Sequence, residues 1–184
     1  INTELGDQYV FVGMDANTKL VPAFRVGKRT GEMARSFMAD LSARIVTRFQ
    51  LTTDAFSAYT EAVDSVFGLD IDYAQLHKSY GEETREDQRR YSPVQIIGIS
   101  KKVITGRPRR KYVSTSYVER QNLTMRMQMR RFTRLTNGFS KKIENLEYAV
   151  ALHFMYYNFC RPHKSLNLKK SLGITPAMAA GVTN

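Results

Sequence analysis

The sequence predicts an α/β fold in which a mixed sheet is flanked by helices. Short segments rich in Val, Phe and Tyr alternate with stretches that carry an apolar residue every three or four positions. The last third of the chain holds two long helical patterns. A length of 184 residues suits one domain with a real core, and 42% hydrophobic with 24% charged residues is ordinary for a folded protein. These values exclude widespread disorder.

The chain begins with a predicted hairpin. Residues Tyr9–Asp15 indicate a buried strand, and Leu20–Val26 indicate a second, with a turn at residues 16–19 between them. Pro22 removes a backbone donor, which favours an edge or a bulge at that position. Thr30 then caps a helix. The apolar stripe of that helix is Met33, Phe37, Leu41 and Ile45.

A strand, a helix and two more strands follow. Phe49–Thr53 is strand-like, and the next helix carries an apolar stripe and ends at Gly68. Asp72–His77 and Val94–Ile104 have strand character. The apolar stripe of this helix consists of Tyr59, Val63, Val66 and Phe67. Two loops complete this part of the chain, a polar one at residues 81–90 and a basic one at residues 106–111.

Two long helices close the chain. The first is predicted over Ser116–Arg134 and the second over Lys142–Asn158, with a turn at Asn137-Gly138 between them. Residues 135–184 are expected to form a C-terminal helical extension of a domain that covers residues 1–184. The core-facing residues are Val118, Met125, Met129 and Phe132 in the first helix, and Ile143, Leu146, Val150, Phe154 and Tyr157 in the second.

Charge is concentrated in the second half. Residues 1–100 hold 11 basic and 14 acidic side chains, whereas residues 101–184 hold 17 basic and 3 acidic ones. A basic run is often only a solvated face. A bias this strong in a folded chain favours a polyanionic partner, and nucleic acid is the leading candidate.

The sequence disfavours several classes of protein. The one cysteine, Cys160, cannot form an internal disulfide framework or a cysteine-rich zinc site, so a reducing, cytoplasmic setting fits best. No apolar stretch is long enough for a membrane span, and no membrane partner is expected. The segment Gly27–Thr30 fails the phosphate-loop pattern, so no ATP is implied.

Two acidic residues stand out by position. Asp54 follows a short strand and precedes a helix, which is where ligand sites gather in α/β sheets, although Asp also caps helices well. Glu119 is the one acid between Lys101 and Lys142, a stretch with 13 basic residues. An acid near a helix start is also favoured by the helix dipole. Carboxylates from separate elements can hold two divalent metals for phosphoryl transfer, and hard oxygen ligands suit Mg²⁺ or Mn²⁺.

At these residues the sequence resembles a family. YVERQNLTMRMQMRRFTRLTNGFSKK is similar to the third-acid helix of DDE transposases of the small bacterial insertion-sequence type, the IS-one group. FQLTTDAFSAY resembles the second-acid strand and helix of that group, and YVFVGMDANTKLVPAFRVGKRT resembles its central hairpin. YYNFCRPHKSL followed by TPA is similar to a C-terminal transposase signature.

The resemblance implies an RNase H-like fold, a DDE triad, two Mg²⁺ ions and cut-and-join chemistry on double-stranded DNA. Asp54 would be the second carboxylate and Glu119 the third. The family's first Asp lies on the first of three antiparallel strands, and this chain offers only two before the helix at Thr30. We expect that strand and its Asp upstream of Ile1; the alternative is that Tyr9–Asp15 is the first strand and Asp15 the first carboxylate.

The expected function is therefore metal-dependent cleavage and strand transfer of an insertion sequence in the bacterial cytoplasm, with a homodimer assembled on the DNA. The alternative is an inactive or domesticated nucleic-acid-binding module. An RNase H-like nuclease would share the cutting but not the joining. The expected DNA-binding residues are Lys101, Lys102, Arg107, Arg109, Arg110, Lys111, Arg120, Arg126, Arg130, Arg131 and Arg134.

Overall fold

The computed structural model describes residues 6–81, 96–133, 138, 140–166 and 173–184. Within these ranges the chain is α/β, with a two-stranded antiparallel sheet and a three-stranded mixed sheet. The chain divides into two compact units. The first unit contains the described residues up to Ile45 and those from Ser116 onward, and the second contains those from Val46 to Thr115.

The first unit is built on a hairpin. Strand β1 (Tyr9–Gly13) pairs antiparallel with β2 (Ala23–Gly27), as predicted, and the ladder ends at the pair Gly13–Ala23. Pro22 therefore stands just outside the ladder, where its missing N–H costs no strand hydrogen bond. Helix α1 (Gly31–Arg44) follows. The Thr30 side chain accepts a hydrogen bond from the Met33 backbone N–H at 3.3 Å, so the predicted cap is confirmed.

One face of the hairpin packs against α1. The rings of Phe11 and Phe37 lie 5.9 Å apart. A Cβ at Gly13 would come within 3.2 Å of Leu41, so the small residue lets the helix approach closely. This packing buries Phe37 and Leu41 of the predicted stripe together with Ala34 and Met38, whereas Met33 is half-buried and Ile45 lies just past the end of the helix.

The other face of the hairpin packs against two later helices, α3 (Ser116–Gln128) and α4 (Ile143–Met155). The rings of Phe24 and Phe154 lie 5.1 Å apart in this layer. Most of the predicted core residues of both helices lie in the cluster. Its buried members are Val21, Val26, Met125, Met129, Val150, Phe154 and Tyr157.

The second unit is a sheet of order β3-β4-β5. Strand β3 (Gln50–Thr53) pairs parallel with β4 (Asp72–Tyr80), and helix α2 (Ala58–Phe67) connects them. Strand β5 (Ile96–Thr105) pairs antiparallel with β4 and forms an edge of the sheet. Gly68 ends α2 with a positive φ of 53°, as the glycine at that position predicted.

The first of the two long helices is shorter than predicted. Helix α3 ends at Gln128, Met129 leaves helical geometry, and Arg130–Phe132 form a separate 3-10 turn. The predicted helix to Arg134 is therefore wrong, because Arg130 and Arg131 lie in a separate turn beyond α3. A Cβ at Gly138 would lie 3.0 Å from the carbonyl oxygen of Arg130, so the backbone at Gly138 packs against this turn.

The last helix changes its geometry before its predicted end at Asn158. Helix α4 reaches Met155, and a wider π-helical turn, Tyr156–Cys160, continues it. Thr175 caps a final short helix, α5 (Pro176–Ala179), by accepting from the Met178 backbone N–H at 3.2 Å. The predicted polar loop at 81–90 lies outside the described residues except for Gly81, and so does Asn137. In the described part of the chain, no helix has both the length and the apolar character that crossing a bilayer requires.

Candidate active site and nucleic-acid interface

Asp54 lies at the carboxyl end of β3, on the parallel side of the mixed sheet. Its side chain is exposed, and Oδ1 accepts a hydrogen bond from the Phe56 backbone N–H at 3.2 Å. The cap position of α2 is Ser57, so Asp54 shapes the turn before the helix rather than capping it. The carboxylate of Asp54 is thus exposed at the end of a strand and is held by its own turn.

Glu119 lies in the first turn of α3 and is exposed. It is the one acidic residue of that helix, and the other two charged residues, Arg120 and Arg126, are also exposed. The next backbone segment adds Arg130 and Arg131, which are exposed as well. Glu119 is thus the one carboxylate of a helix whose other charged side chains are arginines, and that composition suits a surface that binds phosphates.

Asp15 has a structural task. Its carboxylate accepts hydrogen bonds from the Asn17 backbone N–H at 3.1 Å, from the Thr18 backbone N–H at 3.1 Å and from the Thr18 hydroxyl at 2.5 Å. Burial tends to raise the pKa of Asp15, but these hydrogen bonds and the charge of Lys19 together lower it. The carboxylate thus fixes the hairpin turn, in which Lys19 has a φ of 64°.

The same turn approaches the start of α3. The Lys19 ammonium lies 3.9 Å from the centre of the Tyr117 ring, a cation–π contact within the first unit. Asp15 therefore belongs to a turn that borders the helix turn of Glu119. Asp54 belongs to the second unit.

The three implied metal ligands fit a divalent cation unequally. Asp54 and Glu119 are exposed carboxylates, the ligand type that Mg²⁺ and Mn²⁺ prefer. The oxygens of Asp15 already accept three hydrogen bonds, so Asp15 fits less well. Over the ranges that the structure describes, no three His, Cys, Asp or Glu side chains come together as a metal site.

The basic loop at residues 106–111 is held by its backbone. The Arg109 backbone N–H donates to Oε1 of Gln50 at 2.8 Å, and Nε2 of Gln50 donates to the Arg109 carbonyl at 3.2 Å. The Arg107 backbone N–H donates to Oδ1 of Asp72 at 2.8 Å. The Lys101 ammonium donates to the Arg110 carbonyl at 2.9 Å. Side chains from β3, β4 and β5 thus fix the main chain of this loop.

Asp72 is itself anchored. Nη2 of Arg48 lies 2.8 Å from its Oδ1, and the hydrogen bonds from Arg48 and from the Arg107 backbone lower the pKa of Asp72. Gly106 has a φ of 68°, and a Cβ there would clash with Asp72 and approach the Ile71 carbonyl to 2.7 Å. Only glycine suits this close approach. The anchoring residues Gln50, Arg48 and Asp72 carry no sequence motif and were missed by sequence reasoning.

The anchored loop presents its charges to solvent. Every predicted DNA-binding residue of the second unit is exposed, as is every described one of the first, whereas Arg134 lies outside the described residues. The exposed set in the second unit is Lys101, Lys102, Arg107, Arg109, Arg110 and Lys111. Because side chains of the sheet hold the loop through its main chain at Arg107, Arg109 and Arg110, the exposed guanidinium groups can bind a polyanion.

Comparison with known proteins adds no assignment. Neither family models, nor curated proteins, nor solved structures match this chain. The resemblance to IS-one-type transposases therefore has only the sequence motifs behind it, and the function is proposed from the chemistry of the residues.

Proposed function

We propose that this chain is the catalytic core of a DDE transposase with an RNase H-like fold, which cleaves DNA at the ends of an insertion sequence and joins them to target DNA. The observation that carries the proposal is that each of two exposed carboxylates lies in a unit that also has exposed basic side chains. Asp54 ends a parallel strand in the unit that holds the anchored basic loop, and Glu119 is the one acid of the arginine-bearing helix α3.

Each group has a proposed role. Asp54 and Glu119 would hold Mg²⁺ or Mn²⁺, which when bound supplies an activated water or 3′-hydroxyl and stabilises the leaving oxygen. Arg120, Arg126 and the loop at 106–111 would hold the DNA backbone without reading its sequence.

The test uses a supercoiled plasmid that carries the gene with its natural flanking DNA, so that the element ends are present. We expect nicking and end cleavage that require Mg²⁺ or Mn²⁺, and joined products that sequencing detects. Glu119→Gln should reduce cleavage by at least about 100-fold and leave DNA affinity within about twofold. The matched control is Glu32→Gln on α1, which is exposed and should cleave normally. Cleavage that survives Glu119→Gln would remove Glu119 from the mechanism.

A second candidate is a nucleic-acid-binding module without chemistry. The observation that favours it is the engagement of Asp15 in its own turn, because that leaves the described chain with two well-suited carboxylates. This candidate expects salt-sensitive DNA binding with no metal-dependent cutting in any of the variants. Cleavage without joined products would instead favour a nuclease.

A further inference from the structure

Two buried hydroxyl groups lie next to the turn that begins at Asp54. Thr53 ends β3 and Tyr73 lies on the neighbouring strand β4, and the two residues are 8% and 0% exposed. The strands pair in parallel with Leu51 opposite Tyr73, which brings both hydroxyl residues to the same part of the sheet. A buried hydroxyl group costs free energy unless it forms a hydrogen bond. The partners of these two groups therefore indicate their role.

The two hydroxyl groups form a chain that ends on the main chain of Asp54. Oγ1 of Thr53 lies 2.9 Å from the Asp54 carbonyl oxygen and 2.8 Å from the hydroxyl oxygen of Tyr73. A carbonyl oxygen can only accept, so Thr53 donates its one hydroxyl hydrogen to Asp54. Tyr73 is then the donor to Thr53. The fully buried Tyr73 hydroxyl thus acts on Asp54 through Thr53.

The turn is held at two further points. Oδ1 of Asp54 accepts a hydrogen bond from the Phe56 backbone N–H at 3.2 Å, and Nε2 of Gln75 donates to the Phe56 carbonyl at 3.5 Å. Gln75 is also buried and stands opposite Thr53 in the strand pair. Buried side chains of the sheet therefore hold the carbonyl groups on both sides of the N–H that binds the Asp54 carboxylate.

The protonation of Tyr73 suits its place as the first donor of this chain. Burial raises the pKa of Tyr73, and the negative charge of Asp54 raises it further, whereas hydrogen bonds with Thr53, Gln75 and Thr60 lower it. The net effect is a raised pKa, so the hydroxyl group keeps its proton near neutral pH. The chain of donors is therefore intact under the conditions in which a divalent cation would bind.

We propose that Thr53 and Tyr73 are positioning residues for Asp54, which fix its turn so that the exposed carboxylate is preorganised for a divalent cation. The cation itself rests on the proposed function, whereas the hold on the turn is tested without metal. Hydrogen bonds that orient a metal ligand typically contribute about 10- to 100-fold to metal affinity. A purely structural pair of hydroxyl groups would instead change the stability of the whole unit.

The first test is amide hydrogen exchange measured by NMR without metal. The Phe56 N–H, which binds the Asp54 carboxylate, reports on the turn, and the Val63 N–H inside α2 reports on the stability of the unit. Thr53→Val should accelerate exchange at Phe56 by about fivefold or more relative to Val63, because one hydrogen bond to the turn is lost. Tyr73→Phe should act in the same direction but less strongly. Thr53→Ser keeps a hydroxyl group and should stay within about twofold of the unsubstituted chain.

The matched control is Thr52→Val, which makes the same change one position earlier on β3. Thr52 is half-buried, and successive side chains of a strand point to opposite faces of the sheet. Exchange at Phe56 relative to Val63 should therefore be unchanged in Thr52→Val. The inference is overturned if Thr53→Val leaves this ratio unchanged, or if Thr52→Val and Thr53→Val change it alike.

The second test is a Mn²⁺ titration of the whole chain, followed by the paramagnetic broadening of the Ala55 amide signal next to Asp54. Thr53→Val should raise the Mn²⁺ concentration for half-maximal broadening by about 10-fold or more, and Thr53→Ser should restore it. Asp54→Ala should abolish the broadening. A chain that shows no broadening at Ala55, or a half-maximal concentration that Thr53→Val does not change, would overturn the role toward the cation.

The two tests separate this inference from the proposed function. If the variants behave as expected in both titration and exchange but the unsubstituted chain cleaves no plasmid, the transposase proposal fails and the positioning of Asp54 stands. If the plasmid is cleaved and Thr53→Val behaves like Thr52→Val throughout, the positioning role fails and the transposase proposal stands.

Discussion

The side chain of Asn158 forms two hydrogen bonds with the main chain of Val21, which is 137 positions earlier in the sequence. The Val21 N–H donates to Oδ1 at 3.0 Å, and Nδ2 donates to the Val21 carbonyl at 2.9 Å. Val21 lies before the start of β2, beyond the last pair of the hairpin ladder, and Pro22 beside it has no N–H to donate. Asn158 thus replaces a missing strand partner and joins the end of α4 to the hairpin.

Asn158→Ala should lower the free energy of unfolding by about 2–4 kcal/mol. The reason is that the substitution leaves a buried backbone donor and a buried acceptor without partners. Urea unfolding measures the change. The control is Asn145→Ala at an exposed residue of α4, which should lower the free energy of unfolding by less than about 0.5 kcal/mol. Equal effects of the two substitutions would contradict the role given to the Asn158 side chain.

Gln50→Ala should weaken DNA binding by about three- to tenfold although it removes no charge. The Gln50 side chain donates a hydrogen bond to the Arg109 carbonyl and accepts one from the Arg109 backbone N–H, so its loss frees the basic loop. Ordering the freed loop on DNA then costs binding free energy, which lowers the affinity. Fluorescence anisotropy with a labelled duplex measures the affinity. Gln128→Ala, at the exposed end of α3, serves as the control and should bind like the unsubstituted chain. Unchanged binding by Gln50→Ala would show that the loop does not need this anchor.

Arg109→Gln with Arg110→Gln should reduce the salt dependence of DNA binding. Each phosphate contact that is lost makes the plot of log affinity against log salt concentration less steep by about one. The two substitutions together should therefore reduce the magnitude of this slope by about two. The comparison is Arg35→Gln with Arg44→Gln on α1, which leaves the net charge equal to that of the first pair. If both pairs changed the slope alike, overall charge rather than the anchored loop would govern binding.

Acidification should destabilise the protein through His153. This side chain is 8% exposed, and its Nε2 is buried without a hydrogen-bond partner among the described residues. Burial lowers the pKa of His153, and the charge of Arg161 lowers it further. Burial and the charges of Lys19 and Arg161 also lower the pKa of His163.

The sign follows from these directions. The folded protein binds a proton at His153 and His163 more weakly than the unfolded chain does. The stability that the neutral imidazoles contribute is therefore fully present above the ordinary histidine pKa of about 6.5 and is lost as the pH falls below it. Urea unfolding between pH 8 and pH 5 measures this loss. His153→Phe should flatten the pH dependence, and His163→Gln should flatten it further. A slope that both variants retain in full would assign the loss to other groups.

The residues at element ends determined much of the fold. Thr30 and Gly68 mark where a helix begins and where one ends, and the apolar stripes of α1 and α4 identify the buried faces. These features are predictable because capping and periodicity depend on a few neighbouring residues. Asp54 and Glu119 are candidates from sequence for the same reason, since their positions follow from the local strand and helix patterns.

Tertiary structure alone decided the features that depend on distant residues. Helix α3 stops at Gln128 without any Gly or Pro in the pattern, and the turn that replaces its end contacts Gly138, later in the chain. The bonds of Asn158 to Val21 and of Gln50 to Arg109 join residues 137 and 59 positions apart.

The exposed apolar side chains of α4, such as Tyr148 and Leu152, were not predicted, because apolar residues surround this helix and periodicity alone does not show that the core covers only the side of Val150 and Phe154. Sequence thus determined the elements and the candidate carboxylates. Packing between distant segments decided where α3 ends, how the basic loop is held and which apolar face is exposed, because those energies come from contacts that local periodicity does not encode.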